Sequence, residues 1–177
     1  MALDFDKLDS EVDLEQLQKD VAEAADNNFT IPKGKYIVKI EELGLKGTKA
    51  DPGRPMLAVV ARIVEADDSK GNDDALEFIE KWKGKKMPCL YMNRVLKGTK
   101  NDSGMISSAT GFLVKLEAED EDGDPIIIAG DPFKGYGQLN ETVLDIAEAI
   151  DDMGLEYLVD YDEKAFNSIS IVEVLES

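Results

Sequence analysis

The window from Lys81 to Lys100, KWKGKKMPCLYMNRVLKGTK, holds seven Lys or Arg, one Trp, one Tyr and no Asp or Glu. Cations spaced along a chain can follow a phosphate backbone, and aromatic rings can stack on bases. Proteins that bind single strands combine these two elements, a basic groove and aromatic platforms. Lys81, Lys83, Lys85, Lys86, Arg94, Lys97 and Lys100 are therefore candidate phosphate contacts, and Trp82 and Tyr91 candidate platforms. A plainer reading fits the same residues: the lysines solubilise a strand edge and Trp82 anchors a helix to the core. Tyr91 and Arg94 point to opposite faces of a regular strand, so both line one groove only if a bulge intervenes.

The window stands out against the rest of the chain. The 177 residues carry 38 acids and 20 bases, net -18. Residues 1–29 have 9 acids and 2 bases, net -7; residues 30–100 have 10 and 15, net +5; residues 101–177 have 19 and 3, net -16. A basic segment between two acidic ones implies a polarised surface where the fold keeps those charges together, and no patch where it interleaves them.

An internal echo extends the basic set. LKGTKADPG (45–53) and LKGTKNDSG (96–104) share Leu-Lys-Gly-Thr-Lys followed by Asp-x-Gly. Each offers two lysines, a hydroxyl and a flexible glycine backbone, which suits a phosphate-contact loop as well as a plain turn. Neither is a P-loop, because no Gly-Lys-Ser/Thr follows at the required spacing. Lys46, Lys49 and Arg54 join the candidates.

Other chemistries are excluded or disfavoured. There is no histidine, which removes Ser-His-Asp and Cys-His catalysis and His-containing zinc sites. The single cysteine, Cys89, sits in an apolar run between Pro88 and Leu90 and reads as a buried structural thiol. The acidic loop AEDEDGDPIIIA (118–129) fails as a calcium loop: aligned on Gly123, it puts Ala118 at the first ligand position and Ala129 where the bidentate Glu belongs. No carboxylate pair stands out for acid–base work, so no enzyme, cofactor or metal is expected. No run of about 18 apolar residues spans a membrane, and the acidic N-terminus lacks a signal peptide's apolar region; a cytoplasmic location is expected.

The elements that must position the candidates follow from periodicity. SEVDLEQLQKDVAEAADNN (10–28) reads as a helix capped by Ser10, with Leu14, Leu17, Val21 and Ala24 on one stripe. In residues 31–45, Tyr36, Val38 and Ile40 alternate with Lys35, Ile37 and Lys39, the pattern of a half-buried strand. Asp51-Pro52-Gly53 turns the chain into a central strand over 55–66, completing a hairpin. A short helix near 76–82, a third strand over 86–96 and a helix over 105–120 come next. A short strand at 126–130, a helix over 136–154 with Leu139, Val143, Ile146, Ala147 and Ile150 on its apolar face and Gly154 as its stop, and two strands within 155–176 complete the chain. The class is α+β, mainly β with helices. Residues 1–29 form an acidic helical segment and 30–177 the main domain. Three strands, a helix and two strands is the order of a five-stranded OB-like barrel, here with an N-terminal helix and an inserted second helix. A generic α+β sandwich fits the same pattern.

Two stretches, IPKGKYIVKIEELGLKGTKADPGRPMLAVVARIV and GKKMPCLYMNRVLKGTKNDSGMI, resemble phage-encoded single-stranded DNA-binding proteins. The shared features are a Pro-x-Gly-x-Tyr strand start, a Gly-Arg-Pro-Met-Leu turn into the second strand and a Gly-Lys-Lys approach to the third; the resemblance covers roughly residues 30 to 175. It implies an OB fold, sequence-tolerant binding of single-stranded DNA, and a role in phage replication or recombination in the host cytoplasm. Replication or recombination proteins and a second copy of the chain are the further partners it suggests. Many such proteins end in a detached acidic tail, whereas this chain ends ISIVEVLES, a strand pattern. The rival expectation is an acidic nucleic-acid mimic that inhibits a host defence protein, as anti-restriction or anti-CRISPR proteins do. Net -18 suits that class; the concentrated lysines do not.

Overall fold

Hydrophobic alternation fixes the centre of the molecule. The computed structural model describes residues 5–11, 13–18, 30–49 and 53–176. In it the alternating segment forms β1 (Gly34–Gly47), paired antiparallel with β2 (Pro55–Ala66) as the expected hairpin. Its inward phase changes along its length. Tyr36 and Val38 are fully buried on even positions, and Leu43 takes over on an odd one. The register skips a residue between Ile40 and Glu42, and such a bulge turns the following side chains to the opposite face. Glu41, the extra residue, reaches Arg62 through two bonds of 2.6 and 2.8 Å.

Three further strands, β3 (Cys89–Val95), β4 (Leu155–Tyr161) and β5 (Ile169–Glu176), complete one antiparallel sheet of order β3-β2-β1-β4-β5. The α+β class holds, but the expected closed barrel is not found: among the described residues no ladder joins β3 to β5, and the sheet is open. The two edges meet through side chains instead. The Ser168 hydroxyl donates to the Tyr91 carbonyl at 3.0 Å, and Arg94 of β3 reaches Phe166 and Asn167, just before β5.

Three helices pack against the sheet. Among the described residues α1 spans Phe5–Glu11, α2 Asp73–Glu80, α3 Asp102–Lys115 and α4 Tyr136–Met153. α4 packs on β1, α2 on β1 and β2, and α3 on β3 and β5. Of the apolar stripe expected on α4, Leu139, Val143, Ile146 and Ile150 are buried and Ala147 is half-buried. Gly154 ends the helix at φ 62°, a left-handed conformation that glycine adopts without strain. The core also holds Tyr157, whose hydroxyl donates to the Leu116 carbonyl at 2.7 Å; burial pushes its phenol pKa up.

Two expectations need correcting. Residues 126–130 are not a strand; one isolated bridge, Glu119 to Pro125, is all the pairing there. Three isoleucines have strand propensity, but both sheet edges lie elsewhere and offer them no partner ladder. At the N-terminus Ser10 does not start a helix. It lies inside α1, and its hydroxyl donates to the Lys7 carbonyl. A second helical stretch at 14–18 begins at Asp13, whose carboxylate accepts from the Gln16 amide at 3.2 Å, a cap that Asp makes as well as Ser. Leu14 and Leu17 are exposed there. Val21 and Ala24 of the expected stripe, like Asp51 and Pro52 of the expected turn, lie outside the described residues. The chain divides into two units, Met1–Ile31 and Pro32–Ser177, and the sheet belongs to the second. Among the described residues no helix is long and apolar enough to cross a membrane.

Asn72 ties the approach to α2 onto the start of β1. Its side-chain amide donates to the carbonyls of Lys35 (2.8 Å) and Asp67 (2.6 Å), and its oxygen accepts from the Lys35 amide (2.8 Å). The residue is 6% exposed. A Cβ on Gly34 would stand 2.6 Å from that oxygen, so only glycine fits beside it. Asn72→Ala leaves partly buried backbone groups unpaired and is expected to destabilise by about 1–3 kcal/mol. Thermal unfolding measures this; an unchanged midpoint would mean that water replaces the amide without loss.

Candidate nucleic-acid interface

The structure divides the acid-free window between the two ends of β3. β2 and β3 run from Met56 opposite Val95 to Arg62 opposite Cys89. Seven residues of strand separate the ends by roughly 20 Å. Beyond the Cys89 end lie Lys81, Trp82, Lys83, Lys85 and Lys86; beyond the Val95 end lie Lys97 and Lys100. The hairpin places the end of β1, with Lys46, and the β1–β2 loop, with Lys49 and Arg54, next to the second group. Gly47 pairs with Pro55, the Leu96 amide donates to the Pro55 carbonyl, and Arg54 Nη1 donates to the Gly98 carbonyl at 2.9 Å. The two echo loops are thus neighbours, joined by Arg54.

In the second echo the backbone amides of Gly98 and Thr99 are already used. The Asp102 carboxylate accepts from the Gly98 amide (3.0 Å), the Thr99 amide (2.7 Å) and the Thr99 hydroxyl (2.6 Å). The Thr99 hydroxyl and these amides hold the Asp102 pKa below the usual carboxylate range. In the first echo the Thr48 hydroxyl accepts from the Arg54 amide at 3.0 Å. A phosphate at the second echo would compete with Asp102 for the Gly98 and Thr99 donors, so what that loop offers to solvent is its lysine side chains. Lys49, Lys97 and Lys100 are exposed, and Lys46 is paired with Glu42. At the other end Lys81, Lys83, Lys85 and Lys86 are exposed, with Lys83 3.8 Å from Glu80.

The aromatic and arginine candidates separate clearly. Tyr91 is 61% exposed and Arg94 is 5% exposed, on opposite faces as strand geometry requires. No bulge interrupts the β2–β3 register between them. Arg94 is therefore not a surface cation. Its guanidinium donates to the Phe166 carbonyl at 2.6 Å and to the Asn167 side chain, and lies 3.7 Å from the centre of the Phe166 ring. Burial lowers its pKa, yet an arginine stays charged after such a shift. Trp82 is half-buried in the turn after α2, its ring tilted against Phe78 at 6.2 Å, so it is neither a free platform nor a core residue.

Sequence reasoning missed Phe166. It lies in the polar β4–β5 loop DEKAFNS and is 67% exposed, with Arg94 stacked on its ring. An aromatic in a run of loop-forming residues was the available signal. Cys89 is buried as expected; its thiol pKa is pushed up by burial, and the sulfur lies 3.5 Å from Glu41 Oε2. The Arg62 hydrogen bonds hold the Glu41 carboxyl below the usual range. In the acidic loop, Asp120 accepts from the amides of Asp122 and Asp124, which makes it a self-capped turn. Among the described residues no His, Cys, Asp and Glu side chains group as metal ligands.

No protein-family model, curated protein or solved structure matches the chain. The resemblance to phage single-stranded DNA-binding proteins rests on the motifs quoted above.

Proposed function

We propose that this protein binds single-stranded DNA, with little sequence preference, along the seam where β3 and β5 approach each other, and that it serves phage replication or recombination. The observation that carries the reading is the pair of exposed aromatics tied to that seam. Tyr91 is 61% and Phe166 67% exposed; Ser168 binds the backbone of one and Arg94 the backbone of the other. Lysine groups beyond both ends of β3 supply the sequence-independent attraction to phosphates. The acidic remainder of the chain repels nucleic acid from its other faces.

The sheet order supports an OB-type origin for this seam. Opening a five-stranded Greek-key barrel between its third and fifth strands gives the order β3-β2-β1-β4-β5 that is observed. In such folds oligonucleotides lie across the second and third strands and are bordered by the β1–β2 and β4–β5 loops. Those are the elements that carry Arg54, Lys49, Tyr91 and Phe166 here.

Titration of a labelled oligothymidylate at increasing salt tests the reading. With three to five phosphates contacted, the log–log slope of affinity against salt is expected near -2 to -3.5, by the single-strand value of about -0.7 per contact. Duplex DNA of the same length should bind more weakly. Absence of binding at low salt, or an affinity indifferent to salt, would sink the proposal.

A further inference from the structure

A trough runs along α4 on the helical side of the second unit. Its first half is a hollow of about 590 Å³ between α3, α4 and residues 126–135, of mixed apolar and polar lining, with Asp131 and Lys134 its only charged residues. Ser103, Ile106, Ser107 and Thr110 line it at positions i, i+3, i+4 and i+7, one uninterrupted helix face. Ile126 and Ile127 lie across from them, and Phe133 stands at the rim, 46% exposed. That ring is held edge-on to Tyr136 at 5.3 Å, and the Tyr136 hydroxyl donates to the Leu96 carbonyl at 2.9 Å. The Phe133 ring is therefore seated against a tyrosine that is itself hydrogen-bonded.

The trough continues past Ile126 into a second hollow of about 620 Å³. Six carboxylates line it, from Glu119, Asp120, Glu121, Asp145, Glu148 and Asp152, and no Lys or Arg does. From Gln138 to Met153 the two halves extend roughly 22 Å along the helix axis. The charge placement works against the helix itself. α4 has no basic residue in its last turn, and its sequence puts Asp151 and Asp152 where the helix dipole is already negative. Nearby cations would relieve this cost, and the described ion pairs include none with these acids.

We infer that this trough is a docking site for a basic amphipathic segment of another protein. Large apolar side chains of the partner fill the hollow beside Ile106 and Phe133, and its lysines or arginines lie over Asp145, Glu148 and Asp152. Charge selects this occupant. A second copy carries net charge -18, and the exposed lysines of its acid-free window sit in loops at the two ends of β3, not along an amphipathic segment; a nucleic acid brings phosphate. The inference does not depend on the DNA-binding reading. It gives the protein a partner site in a folded groove, which the acid keeps clear of nucleic acid.

The test uses a fluorescein-labelled 18-residue helical peptide of leucine and lysine in amphipathic order, a scrambled peptide of identical composition, and the full chain. The amphipathic peptide is expected to bind at least tenfold tighter than the scrambled one. Phe133→Ala and Glu148→Lys should each weaken it at least tenfold, whereas Glu173→Lys, an equal charge change at an exposed position of β5 outside the trough, should weaken it less than threefold. Equal binding of the two peptides, equal effects of the two lysine variants, or no binding of the amphipathic peptide would each overturn the inference. A concentration-dependent dimer in sedimentation that Phe133→Ala abolishes would overturn it in favour of a second copy.

Discussion

Tyr91→Ala combined with Phe166→Ala is expected to weaken binding of a short oligothymidylate by about 30-fold or more while the protein stays folded. Each stacked base contributes about 1–3 kcal/mol. Two platforms at the low end give about 2 kcal/mol, which is roughly 30-fold. The folding cost is small because both rings are largely in solvent, at 61% and 67% exposure. Phe166→Ala also removes the contact with the buried Arg94 guanidinium, worth about 0.5–2 kcal/mol. The double variant must therefore be compared with wild type at a temperature well below both unfolding transitions.

The same pair separates stacking from charge. Lys85→Ala with Lys86→Ala removes two exposed cations from the Cys89 end of β3. That change lowers the salt slope, whereas loss of the aromatics leaves it unchanged, because neutral rings release no counterions. If the aromatic variant binds as well as wild type, the lysines alone hold the strand and the seam is not the binding surface.

What could be read in advance depended on whether local spacing carried the information. The amphipathic stripe of α4 and its glycine stop are both local, and both were legible. The β1 bulge left a trace too: inward residues on even numbers through Ile40 and on odd numbers from Leu43 imply one extra residue between them. The candidate site was legible only in part. The window Lys81–Lys100 is continuous in sequence, but a strand runs through its middle, so its lysines separate to opposite ends of β3. Strand alternation could set Arg94 apart from Tyr91, but its partners, Phe166 and Asn167, lie more than 70 residues away. No local pattern announces such a contact. The triple isoleucine at 126–128 failed for a related reason: propensity cannot say whether a sheet edge is within reach, and here Ile126 and Ile127 line the groove instead while Ile128 is exposed.

Arg94→Met is expected to destabilise the fold by about 3–5 kcal/mol and to loosen the β4–β5 loop. The arginine makes two hydrogen bonds to loop oxygens and stacks on the Phe166 ring. Bonds from a charged group contribute about 1.5–3 kcal/mol each, and the ring contact adds a smaller amount. Methionine fills similar space but donates nothing, so residues 162–168 lose their tie to β3, apart from the Ser168 bond to Tyr91. Two consequences should appear together. The unfolding midpoint falls by roughly 6–20 °C, at about 2–4 °C per kcal/mol for a chain of this size. Amide exchange within 162–168 rises more than in α4, which Arg94 does not touch. Oligonucleotide affinity then drops as well, because Phe166 must be ordered at the moment of binding instead of beforehand. Arg94→Lys keeps the charge but cannot make the forked contact or the planar stack. It should therefore resemble methionine, not wild type, in loop exchange. If the lysine variant restores both exchange protection and affinity, charge alone holds the seam and the stacked geometry is incidental.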